Sequence, residues 1–465
     1  MMKSNNSKNK LLNISLLLLG LVLIFSFCTN SDAAANTQSI YVNGSSGNDA
    51  WDGTSSTHIG TNIGPKKTIK SGLGVVSAGG TVNIAGGTYN EHSMVLNKNM
   101  IIQGGSQDYV IIDAKFMDRI FTVKPGVKVT MNYLKLFHGK STHNGGAIFS
   151  EGTLTMNNCR VKYTKLTGTS GGAILNNLGS LTVNQCDVSY NCAPMAAGIY
   201  THSGTTTIKD STLNYNNASG GAGGAAVNSK GSLTLINDKF EYNKATPGFG
   251  GAIYNYQGRL NVSSTVFKSN SSPKGGAAIY TQDSVGTVYF IKNTFLYNNA
   301  YKGRGGGLYH CHGTIIMKEN IFTENKAAFN GGAIYLDSAF QPSVSYTKLN
   351  MENSTFTSNL AKNYGGAIYD NGTLTITNCT FTSNSASNIS GGAITNAQGV
   401  LNVTTSTFKS NKAPNHYGGG IYNYAGKATV TCSNFTNNTA YRGGAMYNDH
   451  GSLTSTKNTF ANNKP

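Results

Sequence analysis

The stretch that decides the fold runs Gly250-Gly251-Ala252-Ile253-Tyr254, then Arg259-Leu260-Asn261-Val262, then Phe267-Lys268-Ser269-Asn270, and begins again at Gly276-Ala277-Ala278-Ile279-Tyr280. It lacks the i, i+3, i+4 apolar spacing that a helix requires. Its apolar residues alternate over short segments bounded by Gly, Asn and Ser, which is the pattern of short strands. Working outward, the Gly-Gly-Ala-Ile type of corner starts at Gly145, Gly171, Gly224, Gly250, Gly276, Gly305, Gly331, Gly365, Gly391, Gly418 and Gly443. A degenerate copy, Ala196-Ala197-Gly198-Ile199, fills the one long gap. Eleven intervals over 298 residues give a mean period of about 27. Phe-x-x-Asn keeps a constant phase to the corner, with Phe at 240, 267, 295, 322, 356, 381, 408, 435 and 460.

A period of 27 lies in the solenoid range and is too short for a propeller blade, which needs about 40–45 residues. Three short strands per coil account for it. In-register stacking then puts Phe on Phe and Leu on Leu at a rise of roughly 4.8 Å per coil, giving a rod on the order of 70 Å. The Phe ladder is Phe240, Phe267, Phe295, Phe322, Phe356, Phe381, Phe408 and Phe435. The Asn ladder, including Asn243, Asn270, Asn325 and Asn384, is expected to bond from coil to coil, and Asn itself tolerates the left-handed turn.

Composition agrees. Of 465 residues 57 are Gly and 56 Asn, only 12% are charged and 8 are Pro, so collagen, a Pro/Gly-rich disordered chain and a charged helical enzyme are all disfavoured. Residues 1–35 place Lys3, Lys8 and Lys10 before the apolar run Leu11–Phe27 and the small residues Ala33-Ala34-Ala35, the layout of a secretory signal peptide. Without that segment, 33 basic and 18 acidic residues leave +15, scattered singly along the sequence with no polybasic block. Such charge favours an anionic wall polymer or glycan over DNA.

The paired motifs over residues 145–463 resemble the repeats of chlamydial polymorphic outer-membrane proteins, and equally the adhesin-like surface proteins of methanogenic archaea. The segments Ile40-Tyr41-Val42-Asn43, Gly86-Gly87-Thr88-Tyr89 and Ile111-Ile112-Asp113 resemble the first coils of secreted right-handed parallel β-helix proteins. The resemblance implies an all-β, pectate-lyase-like solenoid with a short N-terminal capping helix, a role that suits Lys66 to Val76. Residues 36–144 then form the cap and first coils, and 145–465 the twelve repeats. Polymorphic membrane proteins end in a translocating barrel, whereas this sequence stops inside a repeat, so outer-membrane anchoring is not expected from it.

The function implied is a secreted or cell-surface, non-catalytic, adhesin-like protein that binds a polysaccharide or protein partner. Nucleic acid, stable membrane insertion and a cofactor are not expected. The alternative is a polysaccharide lyase or glycoside hydrolase of the same fold. The clustered carboxylates that hydrolysis needs are missing from the sequence, and Asp108, Asp113 and Asp118 read as turn residues. His310-Cys311-His312 is a weak metal candidate, its two His sharing a face if the segment is a strand. Cys159 and Cys186 occupy equivalent positions, where stacked free thiols and a disulfide are both open. Tyr254, Tyr280, Tyr309, Tyr335 and Tyr369 follow the corner and turn outward by alternation, either as a glycan-binding stripe or as a stiffening stack. An insertion between Ile334 and Leu349 offers Phe340 and Tyr346 as further binding aromatics.

Overall fold

Alternation along Arg259–Ser263 buries Leu260 and Val262 and exposes Arg259 and Asn261. In the computed structural model, which describes residues 38–105, 110–168, 171–338 and 347–465, this strand pairs in parallel with Ser232–Ile236 of the coil before, Leu233 on Leu260 and Leu235 on Val262. Four strands make a coil, not three. After the Gly250 corner come Ile253–Tyr256, Arg259–Ser263, Val266–Lys268 and the two-residue Ser271–Ser272. Their stacks form parallel sheets of 14, 16, 15 and 12 strands. The fourth strand escapes sequence reading because two residues cannot display a period.

One-residue left-handed turns separate the strands, as at Gln257, Ser264 and Ser269 with φ of 52°, 51° and 54°. The left-handed residue of Phe-x-x-Asn is the one before the Asn, as at Tyr242, Ser269 and Tyr297, and not the Asn as expected. That turn aims the Asn inward. The corner placed at Gly224 starts one residue earlier: Ala226 pairs with Ile253, and Gly223 carries the positive φ.

Two columns dominate the interior. Phe240 through Phe435 are fully buried, and their ring centroids stack at 4.4 to 5.3 Å. Beside them, each ladder Asn from Asn191 to Asn438 donates its Nδ2 to the Oδ1 of the next coil's Asn at 2.9–3.1 Å. The same nitrogen also donates backward, as Asn270 does to the Phe240 carbonyl at 2.8 Å. Such bonds satisfy backbone groups at turns where the sheet ladder is interrupted.

Two further polar columns run along the interior, the first of them the column in which stacked free thiols were one of the two expectations. In the first, the amide of Cys159 donates to Cys186 Sγ at 3.3 Å, that of Cys186 to Ser211 Oγ at 3.0 Å and that of Ser211 to Asp238 Oδ1 at 2.8 Å. The position demands an acceptor, which explains why Cys, Ser, Thr, Asn and Asp alternate there; Cys159 and Cys186 are free buried thiols. The second runs through Asn228, Asn255, Thr281, His310, Leu336, Asp370, Asn396 and Asn423, register partners on the inner face of the corner strands.

The helix Ile69–Val75 packs Ile69 and Leu73, with Val76 just after it, under the first strand, Ser39–Val42. Thr68 Oγ1 caps it, and the Glu91 carboxylate accepts the amides of Ile69 and Lys70 at 2.7 and 2.8 Å. After residues 339–346 the register resumes with Leu349 on Ile315 and Phe356 on Phe322. The signal-peptide segment, Phe340 and Tyr346 lie outside the described residues.

The corner glycines are a backbone requirement. Gly250 has φ 66°, and a Cβ on Gly251 would lie 2.3 Å from the Ala277 carbonyl oxygen of the next coil. Gly251→Ala should therefore destabilise the protein by about 1–3 kcal/mol, read as a lower urea midpoint; an unchanged midpoint would show that the corner relaxes freely.

Candidate functional site: an aromatic and cationic cleft

The corner strands alternate so that Tyr280 and Tyr309 point away from the solenoid interior, yet they are only 6% exposed, and Tyr335 only 5%. The loops that lead into the next Gly-Gly corners fold over them. Pro247–Phe249, Pro273-Lys274, Lys302–Arg304 and Phe329 thereby wall a cleft of about 790 Å³, with Tyr280, Gln282, Tyr309, Cys311 and His312 on its floor. Such a volume suits a small organic ligand or a few sugar rings. The expected open tyrosine stripe is thus corrected to a roofed one.

Ring geometry makes the floor a rigid lattice. Phe249 tilts on Tyr280 at 4.3 Å and meets Tyr309 edge-on at 6.0 Å. Tyr254 stacks on Tyr280 at 5.3 Å, Tyr280 and Tyr309 meet edge to face at 5.1 Å, and Tyr335 stacks on Tyr369 at 4.9 Å. Such contacts order side chains beyond what burial alone does. Lys274 Nζ sits 5.7 Å over the Phe249 ring. The Arg304 guanidinium lies 5.1 Å over Tyr335 and donates to its hydroxyl at 3.1 Å.

Burial holds the phenols and the thiol neutral. It pushes Tyr280 and Tyr309 well above the usual phenol range and Cys311 up to about 12. The Tyr309 hydroxyl donates to Asp337 Oδ2 at 2.7 Å, and that of Tyr280 to Gln282 Oε1 at 3.1 Å. Cys311 is no thiolate nucleophile in this setting. Among the described residues the lining contains Lys274, Lys302 and Arg304 and no carboxylate, with Asp283 and Asp337 just behind it on His312 and Tyr309.

His310 and His312 part company. His310 lies inside the solenoid in the polar column, its Nε2 3.2 Å from the Gly313 carbonyl, and burial lowers its pKa to about 4, so it is neutral. His312 sits in the left-handed turn after the strand at φ 53°, where its Nδ1 meets Asp283 Oδ1 at 2.9 Å. Alternation fails to put them on one face because the strand ends at Cys311. Among the described residues no three ligand side chains gather as a metal centre would require. His312 Nε2 is buried at the cleft without a hydrogen-bond partner.

A smaller cleft of about 260 Å³ lies further along the same sheet between Tyr364, Tyr369, Thr395, Tyr422 and Tyr424. The wall residues Phe249, Lys274, Arg304 and Phe329 were not singled out from sequence. Their signal is positional: each stands one or two residues before a Gly-Gly corner, where later units carry Tyr364, Ser390, Tyr417 and Arg442.

The right-handed β-helix region family matches residues 171–345, and the chlamydial polymorphic membrane protein repeat matches residues 353–371, which span Phe356 and the Gly365 corner. No curated protein gives a significant match. Among solved structures, the Dettilon tailspike protein is 12% identical over 82% of this chain and 64% of its own, with a TM-score of 0.31. Open reading frame 18 of Geobacillus virus E2 is also 12% identical, over 99% of this chain and 65% of its own, with a TM-score of 0.18. The chain thus spans just under two thirds of the length of each. It is an all-β, right-handed parallel β-helix of about 27 residues per coil whose repeats resemble those of the polymorphic membrane proteins.

Proposed function

We propose that this chain is a surface-exposed or secreted adhesin-like β-helix without catalytic activity, and that its cleft binds an acidic sugar. The observation that carries the reading is the cleft lining: among the described residues, three cations and four aromatic rings with no carboxylate. Aromatic faces suit the C–H faces of a sugar, while the cations answer a uronate or sialate carboxylate. The polymorphic membrane protein repeat is in keeping with a surface location. No described helix is long and apolar enough to cross a membrane.

The test is a glycan array followed by calorimetry on the chain from residue 36 onward. Lys274→Ala combined with Lys302→Ala should weaken binding of an acidic oligosaccharide by about tenfold or more, as loss of two charge-assisted contacts implies. Arg304 is left in place because it orients Tyr335. Equal affinity for the variant and the parent would remove the cleft from the account.

A second reading, a polysaccharide-cleaving enzyme, draws on the Asp283–His312 pair with its unpartnered Nε2 at the cleft. Release of reducing or unsaturated ends from an acidic polysaccharide, abolished in His312→Gln, would establish it over the binding reading.

A further inference from the structure

Basic residues that lie singly in the sequence become neighbours once the coils stack. Lys135 pairs in register with Arg160, and Lys140 with Lys165, on the outer face beside the Phe ladder. Lys162 lies between these two columns, so two successive coils present five cations along one edge of the solenoid, on the two sheets that meet at the Tyr163 turn. Lys162 is held by Asp187 at 2.5 Å; Lys140 and Lys165 have no ion-pair partner among the described residues. Like charges in direct register repel, and nothing in the strand pairing requires them.

The turn residues between those columns are aromatic. Tyr163, Tyr190, Tyr215 and Tyr242 occupy the left-handed position at φ of 54° to 61° and remain 37–45% exposed. Their rings stack along the rod at 5.6, 4.9 and 4.9 Å, with planes within 29° of parallel, and His138 extends the row beyond Tyr163 at 5.9 Å. Lys162 Nζ reaches over the Tyr190 ring at 5.5 Å. The fold has no need of tyrosine here, since Ser269, Ser358 and Ser383 fill the same rung of later coils with the same sign of φ.

We propose that this edge, from Lys135 to Tyr242, is a docking surface for a linear anionic polysaccharide lying along the rod. The cations answer its carboxylate or sulfate groups, and the row of phenol edges gives its hydroxyls a line of partners at strand spacing. A nucleic acid fits less well, because single-stranded bases bind by stacking on open aromatic faces, and here the ring faces inside the row are taken by one another. The proposal rests on the glycan-binding reading for its ligand class, but it uses another sheet and none of the cleft residues.

The experiment is salt-gradient elution of the chain from immobilised polygalacturonate and from heparin, with thermal melting as the control for folding. Tyr190→Ser with Tyr215→Ser, and separately Lys140→Gln with Lys165→Gln, should each elute at lower salt. The lysine variant should bind about tenfold more weakly because fewer counterions are released, and the tyrosine variant should bind several-fold more weakly because it loses hydroxyl partners, both at an unchanged melting temperature. The shift caused by Lys140→Gln with Lys165→Gln should persist at full size when it is added to the cleft variant Lys274→Ala/Lys302→Ala, which separates this surface from the cleft. Elution of the two ladder variants with the parent, or loss of retention in the cleft variant alone, would overturn the proposal. So would stronger retention on single-stranded DNA-cellulose than on either polysaccharide.

Discussion

Asn325→Ala should destabilise the protein by about 3–5 kcal/mol, a large fraction of the 5–15 kcal/mol that holds a typical domain. The Asn325 amide makes four hydrogen bonds. Its Nδ2 donates to Asn359 Oδ1 at 3.0 Å and to the Phe295 carbonyl at 2.9 Å. Its Oδ1 accepts from Asn298 Nδ2 at 2.9 Å and from the Asn298 amide at 3.2 Å. Alanine leaves the Asn298 amide without an acceptor and takes a second donor from the Phe295 carbonyl in a site closed to water, where an orphaned group costs about 1–3 kcal/mol and each further lost hydrogen bond about 1 kcal/mol. Stability in a solenoid is a sum of neighbouring terms, so the damage should centre on the coils that contain Phe295 and Phe322. Urea unfolding gives the total, and amide exchange at Asn298 its location. A loss below about 1 kcal/mol would mean that water or a backbone shift replaces the amide. Asn325→Asp should do no better, because a carboxylate cannot donate to the Phe295 carbonyl.

That ladder was legible in the sequence because Phe-x-x-Asn recurs at one phase, and a solenoid converts phase directly into contact. Parallel stacking and the resumption of register at Leu349 were legible for the same reason, while the capping helix of Ile69 and Leu73 was implied by the resemblance to secreted β-helix proteins, which their spacing suits. What was lost depends on neighbours about 25–30 residues apart whose side chains differ. The pairs Lys135–Arg160 and Lys140–Lys165 look scattered in sequence and adjacent in space. Tyr280 and Tyr309 turn outward as alternation requires, but alternation carries no information about the loops of Phe249 and Arg304 that roof them. His310 and His312 failed as a pair because the strand stops one residue too early for period 2 to hold. Ladders read well from sequence, whereas clefts built by irregular loops do not.

The inner polar column carries the second large effect. Asp370 stands in it between Leu336 and Asn396, fully buried. Its Oδ1 accepts the Gly372 amide at 2.9 Å, while its Oδ2 and Asn396 Oδ1 both lack a partner. Burial pushes its carboxyl from the ordinary 3.8 up to about 7. A folded-state pKa above the unfolded value means that the native state binds the extra proton. Stability is therefore full below about pH 4, falls as pH rises toward 7 and levels off above it, a loss of roughly 4 kcal/mol on the linkage relation. Asn at this position stays neutral, and its Nδ2 can donate to Asn396 Oδ1 just as Asn396 Nδ2 donates to Asn423 Oδ1 at 2.7 Å. Asp370→Asn should accordingly match the parent near pH 4 and melt well above it at pH 8. The difference between the two proteins is the quantity to follow, because buried Asp238, also raised to about 7, titrates alike in both and cancels. A melting-temperature difference that stays flat from pH 4 to pH 8 would show that Asp370 ionises at its ordinary pH with water reaching Oδ2, and that the column is wet rather than dry at this coil.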